Sequence, residues 1–483
     1  MVGTEQSEHD EPDFETLVAG ILERNIEGFE HLLAVERLSG GASQETYRIA
    51  AMVHGSEELL AMRRAAGGVY ENPDETRPGL AVEATLMQVA RAAGVPEPEV
   101  FHVLTPDDGI GNGFIMEWLE GHTLGARVLR APDLDQIRPH LARQCGQILA
   151  RIHAIDPVAT GLAEHLTVLS TEAFVRRMWE QYQEFDTPQP MIDFTARWLL
   201  DHLPPETEPR LVHNDFRNGN LMITPDGVVA VLDWEVCHLG DPIRDLGWIC
   251  TNSWRFGQRH LAVGGFGELD DLLAGYAEES GIDVDPEHVK FWEVFGSYWW
   301  AVGCLKMAEH YRNGPDRTVE RPGIARRSSE CQVDCVNLII PGPVDLVETG
   351  DARSTLDMPS IDELIESVRD FLRTEVRDAT EGRTNFMSLV ASNSLDIVLR
   401  ELRIGPAHLD AEQRRLTELL GTPGASLDAL RRRLSRALRD GSMALDTPGL
   451  ADHLRATVVN QVAIDQPRYS GFLAALGPPE LPS

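Results

Sequence analysis

The chain reads as an α+β protein in three parts: a small β-rich lobe, a mainly helical second lobe, and an all-α helical accessory domain. Three observations predict this. Residues 35–49 run as strand, glycine-containing turn, strand. In mid-chain, a polar loop from His213 to Asn220 leads into two apolar runs, 221–223 and 228–232, joined by the turn Thr224-Pro225-Asp226-Gly227. From Ser360 onward, apolar residues recur at helical spacing.

Each element can be justified in order. Gly40, Gly41 and Ser43 form the first turn, and two adjacent glycines let a backbone approach phosphates closely. The strand at 59–64 ends in Arg63 and Arg64, and alternation points Arg63 to the side of Ala61 and Arg64 to the side of Met62. A helical pattern over 79–93 carries Glu83. The buried-looking strand within 113–121 contains Glu117 and Leu119 and ends in polar residues and glycine, the composition of a hinge. Residues 1–119 are therefore expected to form the first lobe with its hinge, and 120–345 the helical lobe. Within the latter, Asp241 precedes a proline at the start of a helical pattern and reads as an N-terminal cap, whereas Asp245 reads as a first-turn carboxylate without a chemical role. After the polar connector 351–359, Ser360-x-x-Glu363 opens a helix as a capping box. Apolar spacing continues through Phe371, Leu372 and Val376 and again from Phe386 to Leu402, with further helices expected at 408–420, 426–439 and 448–463. Together they predict a four- or five-helix domain over 356–483.

The mid-chain loop carries the chemistry. Asn220 follows Asp215 by five residues, Asp233 lies thirteen residues beyond Asn220, and the hairpin between them returns Asp233 to the end where the other two sit. Phosphoryl transfer from ATP needs one carboxylate to meet the substrate hydroxyl, and an amide oxygen and a second carboxylate to hold Mg2+. Asp215 is the expected catalytic residue, and Asn220 and Asp233 are the expected metal ligands. His213 is expected to support the loop.

The run His213-Asn214-Asp215-Phe216-Arg217-Asn218-Gly219-Asn220, with Leu232-Asp233-Trp234-Glu235, resembles the protein-kinase catalytic loop and metal-binding Asp. It resembles still more closely the aminoglycoside phosphotransferase-like family, from which it departs at Asn214, where glycine is common. The resemblance implies a protein-kinase-like two-lobe fold over residues 1–345. It implies that Gly40, Gly41 and Ser43 line ATP, that Glu117 and Leu119 offer main-chain groups to adenine, and that Asp241 braces the catalytic loop. The usual phosphate-binding Lys is missing, since no Lys precedes Lys290; the resemblance favours Arg63 in its place, oriented by Glu83. The Arg63-Arg64 run, which is similar to a Leu-Arg-Arg/Lys run, and the fused helical domain, which resembles one of unassigned role found with such enzymes, resemble a hydroxyacyl-CoA-linked branch. The implied activity is ATP-dependent phosphorylation of a small-molecule hydroxyl on a hydroxyacyl-CoA. Alternatives are an aminoglycoside or other cationic acceptor, and a pseudokinase scaffold acting through its helical domain.

Composition excludes several classes. At 483 residues and 42% hydrophobic content the chain can bury two or three cores without stapling. Its six Cys form no CxxC or zinc pattern, so reduced thiols and a cytoplasmic location are expected. There is no apolar leader, and the most apolar stretch, 294–305, is too short to span a bilayer, so no membrane partner is expected. A formal charge of −34 argues against nucleic-acid binding and tolerates cationic substrates. Residues 351–483 hold 20 Asp/Glu and 16 Arg, a balance of −4, leaving −30 on the preceding 350. Within that tail, Arg431, Arg432, Arg433, Arg436 and Arg439 form either a solvated helix face or a dock for the phosphates of CoA.

Overall fold

A computed structural model describes residues 13–38, 44–69, 78–314, 316–348 and 359–477. The chain divides into two compact units, one of residues 1–169, 207–245 and 270–283, the other of 170–206, 246–269 and 284–483. Helices of the expected second lobe thus fall in the same compact unit as the C-terminal helices.

The first unit is built on a five-stranded sheet in the order β1-β2-β3-β5-β4: β1 Phe29–Arg37, β2 Gln44–Val53, β3 Ser56–Ala65, β4 Val100–Val103 and β5 Gly113–Glu117. All its pairings are antiparallel. The helix α1, Phe14–Asn25, starts where the Asp13 side chain accepts the Thr16 N–H. It lays Val18, Ile21 and Leu22 on Ile49, Met62 and Ile115 of the sheet. The helix α2, Leu80–Ala92, buries Leu80, Glu83, Ala84, Met87 and Ala90, which recur at three- and four-residue spacing along one stripe. A carboxylate at the centre of that stripe requires a cationic partner. Two short antiparallel ladders complete the unit's sheet structure: β6 Arg210–Val212 with β9 His238–Gly240, and β7 Leu221–Thr224 with β8 Gly227–Val231. The mid-chain hairpin is therefore present as expected.

The second unit is helical. Its long helix Pro286–Asn313 buries Trp292, Phe295 and Tyr298, with Phe174 against Phe295 at 4.7 Å between ring centroids. The helix Ile361–Phe371 begins with the expected capping box of Ser360 and Glu363. In place of two helices broken near residue 405, a single helix runs over Gly382–Leu420 with Pro406 inside it. Proline costs the Leu402 carbonyl its donor. Tertiary contacts on both sides outweigh that loss: Arg400 donates to the carbonyls of Ile464 and Asp465, and Glu412 pairs with Arg431.

Three of the five arginines on the helix Leu427–Arg439 pair with carboxylates of this unit, whereas Arg433 donates to the Thr422 hydroxyl and Arg436 to the Arg432 carbonyl. Arg431 grips buried Glu412 through two nitrogens, Arg432 pairs with Asp186 and Asp428, and Arg439 with fully buried Asp193 at 2.7 Å. All six cysteines are buried and none forms a disulfide. No described helix is long and apolar enough to cross a membrane.

Candidate active site

The expected catalytic residues converge in the first unit. β6 delivers the chain to His213, and β7 begins immediately after Asn220. The Leu232 N–H reaches the Asn220 carbonyl at 2.8 Å, which sets Asp233 beside the loop. Asp233 takes a φ of +70°, a left-handed conformation that L residues avoid and that is characteristic of strained functional positions.

Asp215 is gripped from two directions. Asn220 Nδ2 donates to its Oδ2 at 2.6 Å and to its carbonyl at 3.0 Å, while Arg217 Nε donates to Oδ1 at 3.0 Å. A Cβ on Gly219, whose φ is +120°, would meet that Arg217 guanidinium at 2.5 Å, so glycine is what allows Arg217 to fold back.

The loop is braced from behind by Asp245, which corrects the reading of that residue as a bystander. Its two oxygens accept the backbone N–H groups of His213 and Asn214 at 2.8 and 2.7 Å, and His153 Nε2 lies 3.1 Å away. Burial works to protonate Asp245, but the His153 hydrogen bond and the nearby imidazoles and amides hold its carboxyl below the ordinary range. Asp241 accepts the Ile243 N–H at 3.0 Å, as a cap should. Burial pulls the pKa of His213 down, and its Nδ1 accepts the Asp215 N–H at 3.2 Å, consistent with a neutral supporting ring.

Asn214 adopts φ +66°, which accounts for the glycine common there in the family. Asparagine tolerates this region better than most residues. Here its side chain donates to the Val236 carbonyl and accepts from buried Arg244 at 3.1 Å.

Arg63 and Arg64 face opposite sides of β3, as alternation requires. Arg63 bridges Glu83 at 2.7 Å and Asp233 at 2.8 Å and also contacts Gln44. Burial disfavours its charge, but Glu83, Asp233 and Glu235 more than offset this and raise its pKa. Burial pushes Glu83 up to about 7 despite Arg63. Arg64 instead pairs with Glu45 at 2.8 Å and lies over the rings of Phe14 and Tyr47. Trp234, fully buried, packs on His213 and donates Nε1 to Glu97 at 3.0 Å. Burial holds the Glu97 carboxyl far above the usual range.

At the hinge, the Glu117 N–H is taken by the Glu99 carbonyl, and Leu119 lies two residues past β5. Gly40, Gly41 and Ser43 lie outside the described residues; at their base, the Leu38 N–H bonds to the Thr46 carbonyl at 2.8 Å. The side chains of Asn220 and Asp233 suit magnesium in kind, offering amide and carboxylate oxygen. The Asn220 carboxamide turns its nitrogen to Asp215, which leaves Oδ1 for a cation.

Sequence reading missed Asp245, Arg217, Gln44 and Glu97. For Asp245 a signal existed, since it and Arg244 are the only charged residues on a helix whose other side chains are apolar.

Residues 34–282 match the family model described as "Phosphotransferase enzyme family", and residues 378–469 match a domain of unknown function, DUF6285. The chain is 33% identical over 177 residues to acyl-CoA dehydrogenase family member 10 of Mus musculus, covering 35% of this chain and 16% of that protein. It is 27% identical over 269 residues to probable acyl-CoA dehydrogenase IBR3 of Arabidopsis thaliana, covering 47% and 32%. A solved protein of Ralstonia eutropha JMP134, provisionally described as an aminoglycoside phosphotransferase, aligns over 67% of this chain and 97% of its own. At 22% identity and a TM-score of 0.54 it shares the fold.

Proposed function

The chain belongs to the phosphotransferase enzyme family, as an ATP-dependent small-molecule kinase of protein-kinase-like fold, and we propose that its acceptor is the hydroxyl of a hydroxyacyl-CoA. The observation that carries the phosphoryl-transfer chemistry is the joined constellation Glu83–Arg63–Asp233 and Asp215–Asn220. The acceptor assignment is supported by the partial likeness to proteins named acyl-CoA dehydrogenases.

In this reading Asp215 orients the acceptor hydroxyl and takes its proton through a carboxylate oxygen. Asn220 and Arg217 fix the plane of that carboxylate, so the oxygen meets the hydroxyl without a side-chain rotation. Asn220 and Asp233 would hold Mg2+, which would supply the positive charge that neutralises the phosphates. Arg63 exchanges its contact with Asp233 for the ATP phosphates while Glu83 keeps it aimed. Glu117 and Leu119 serve adenine through their main chain, with Gly40, Gly41 and Ser43 over the phosphates.

The charge of −30 ahead of residue 351 favours a cationic acceptor such as an aminoglycoside as the second reading. The test is ATP turnover against a panel of hydroxyacyl-CoAs, aminoglycosides and amino alcohols. Turnover confined to the cationic compounds would overturn the hydroxyacyl-CoA assignment and leave the kinase chemistry standing.

A further inference from the structure

The helical unit contains a cavity of about 940 Å³ with no part in the chemistry above. Its wall carries five arginines, at 326, 327, 373, 400 and 468, against four carboxylates, at 320, 330, 396 and 465. A net positive wall is unexpected in a chain of formal charge −34. Burial also pushes the carboxyls of Glu330 and Asp465 upward, which weakens their claim on the neighbouring guanidiniums.

The arginines are not equivalent. Arg326 pairs with Asp465, Arg327 with Glu330 and Arg373 with Asp396. Arg400, by contrast, donates to two neutral acceptors, the carbonyls of Ile464 and Asp465 at 2.5 and 3.0 Å. Burial lowers its pKa, which Asp396 and Asp465 partly restore, and exposed Arg468 lowers it by repulsion. Arg400, bonded only to neutral carbonyls, and exposed Arg468 line one cavity and can offer guanidinium donors to an anion there.

The opposite requirement, an apolar surface, is met at the same cavity. Phe386 and Phe256 line it and are 49% and 41% exposed. Phe256 holds φ +46°, a conformation that is a genuine outlier for a bulky residue. Strain that presents an aromatic ring to a cavity is the kind that persists at ligand sites.

We propose that this cavity binds an organic phosphate bearing an apolar or aromatic portion, Arg400 and Arg468 holding the phosphate and Phe256 and Phe386 the remainder. The helices Glu320–Arg326 and Gly382–Leu420 both contribute to its wall, so residues of the domain of unknown function share the site with a helix outside that domain. The phosphate has two possible sources, the nucleotide handle of a CoA-linked acceptor or a separate phosphorylated effector.

Calorimetric titration of the full chain with adenosine 3′,5′-bisphosphate, coenzyme A and inorganic pyrophosphate tests this. The bisphosphate and coenzyme A should bind, and Arg468→Glu should weaken both at least roughly tenfold, the loss of a charge-assisted hydrogen bond. Mg·ATP binding should be unchanged in that variant. Arg400→Lys, which retains the charge but not the fork, should weaken both to a smaller degree and serves as the second variant. Absence of bisphosphate binding to the parent, or equal binding to parent and Arg468→Glu, overturns the site. With a hydroxyacyl-CoA as substrate, a raised acceptor KM at constant kcat in Arg468→Glu assigns the cavity to the acceptor's handle, while weakened bisphosphate binding at constant KM assigns it to an effector. If no hydroxyacyl-CoA is phosphorylated but bisphosphate binding still depends on Arg468, the acceptor reading falls and the cavity stands.

Discussion

Asp215 has both carboxylate oxygens held before any substrate arrives, one by Arg217 and one by Asn220. Asp215→Asn removes the proton acceptor without emptying the site and should abolish transfer while the melting curve stays near that of the parent. Asp233→Ala should abolish transfer and also weaken magnesium-dependent ATP binding. Near-normal turnover by a folded Asp215→Asn protein would reject the mechanism. The two arginines of β3 give a sharper comparison, because they occupy opposite faces of one strand. Arg63→Ala should slow transfer and raise the ATP requirement roughly ten- to a hundredfold, the worth of a charge-assisted hydrogen bond in a partly dry site. Arg64→Ala should do far less to ATP and more to stability, since it removes one of the two guanidiniums paired with buried Glu45. Steady-state kinetics on both variants separates the roles.

Among the elements, the helix Ser328–Ile339 carries an acid whose titration should be visible. Asp334 accepts from Tyr469 Oη at 2.6 Å and Asn252 Nδ2 at 2.7 Å, and burial pushes it up to about 7. Its unfolded value is about 3.9, so between these limits the folded chain binds the extra proton. The stabilisation is fully present below about pH 4 and is lost as pH rises through 7. Denaturant midpoints of the parent should therefore fall between pH 5 and 7.5 relative to those of Asp334→Asn, and parallel profiles would refute this. The helix Gly382–Leu420 offers a second test at this scale. Pro406 is exposed and deprives the Leu402 carbonyl of its donor, so Pro406→Ala should raise stability by about 1–3 kcal/mol. A lowered melting temperature would show instead that the proline serves the fold, by limiting the unfolded chain or by shaping a bend.

For the whole molecule, the C-terminal helices satisfy charges on helices that come much earlier in the chain. Arg439 meets fully buried Asp193, and Asp465 meets Arg326. A chain truncated after residue 348 would lose both Arg439 and the helix Leu427–Arg439 packed on Pro190–Asp201, uncovering that helix, whereas Arg439→Ala in the full chain would leave buried Asp193 without its cation at a cost of about 3–5 kcal/mol. Such a truncation should be insoluble or melt well below the full chain, and Arg439→Ala alone should reproduce part of the loss. A truncated chain as stable as its parent would show that the two parts fold independently.

The sequence by itself determined the reaction class, the mid-chain hairpin, the capping box at Ser360 and the opposite facing of Arg63 and Arg64. These depend on local spacing: strand alternation, a turn with Pro and Gly, and an Asp-Asn-Asp pattern joined by a hairpin of short reach. Tertiary structure alone decided that Asp245 braces the catalytic loop, because in sequence it is one more helix-start carboxylate and only its burial beneath the loop amides reveals the role. It also decided that Pro406 lies inside a helix and that Arg431 and Arg439 are structural. Each of these depends on a partner more than ten residues away, Ile464 for Arg400, Glu412 for Arg431 and Asp193 for Arg439. Propensity and periodicity report the preferences of a segment alone, and a buried charge is placed by the partner that neutralises it.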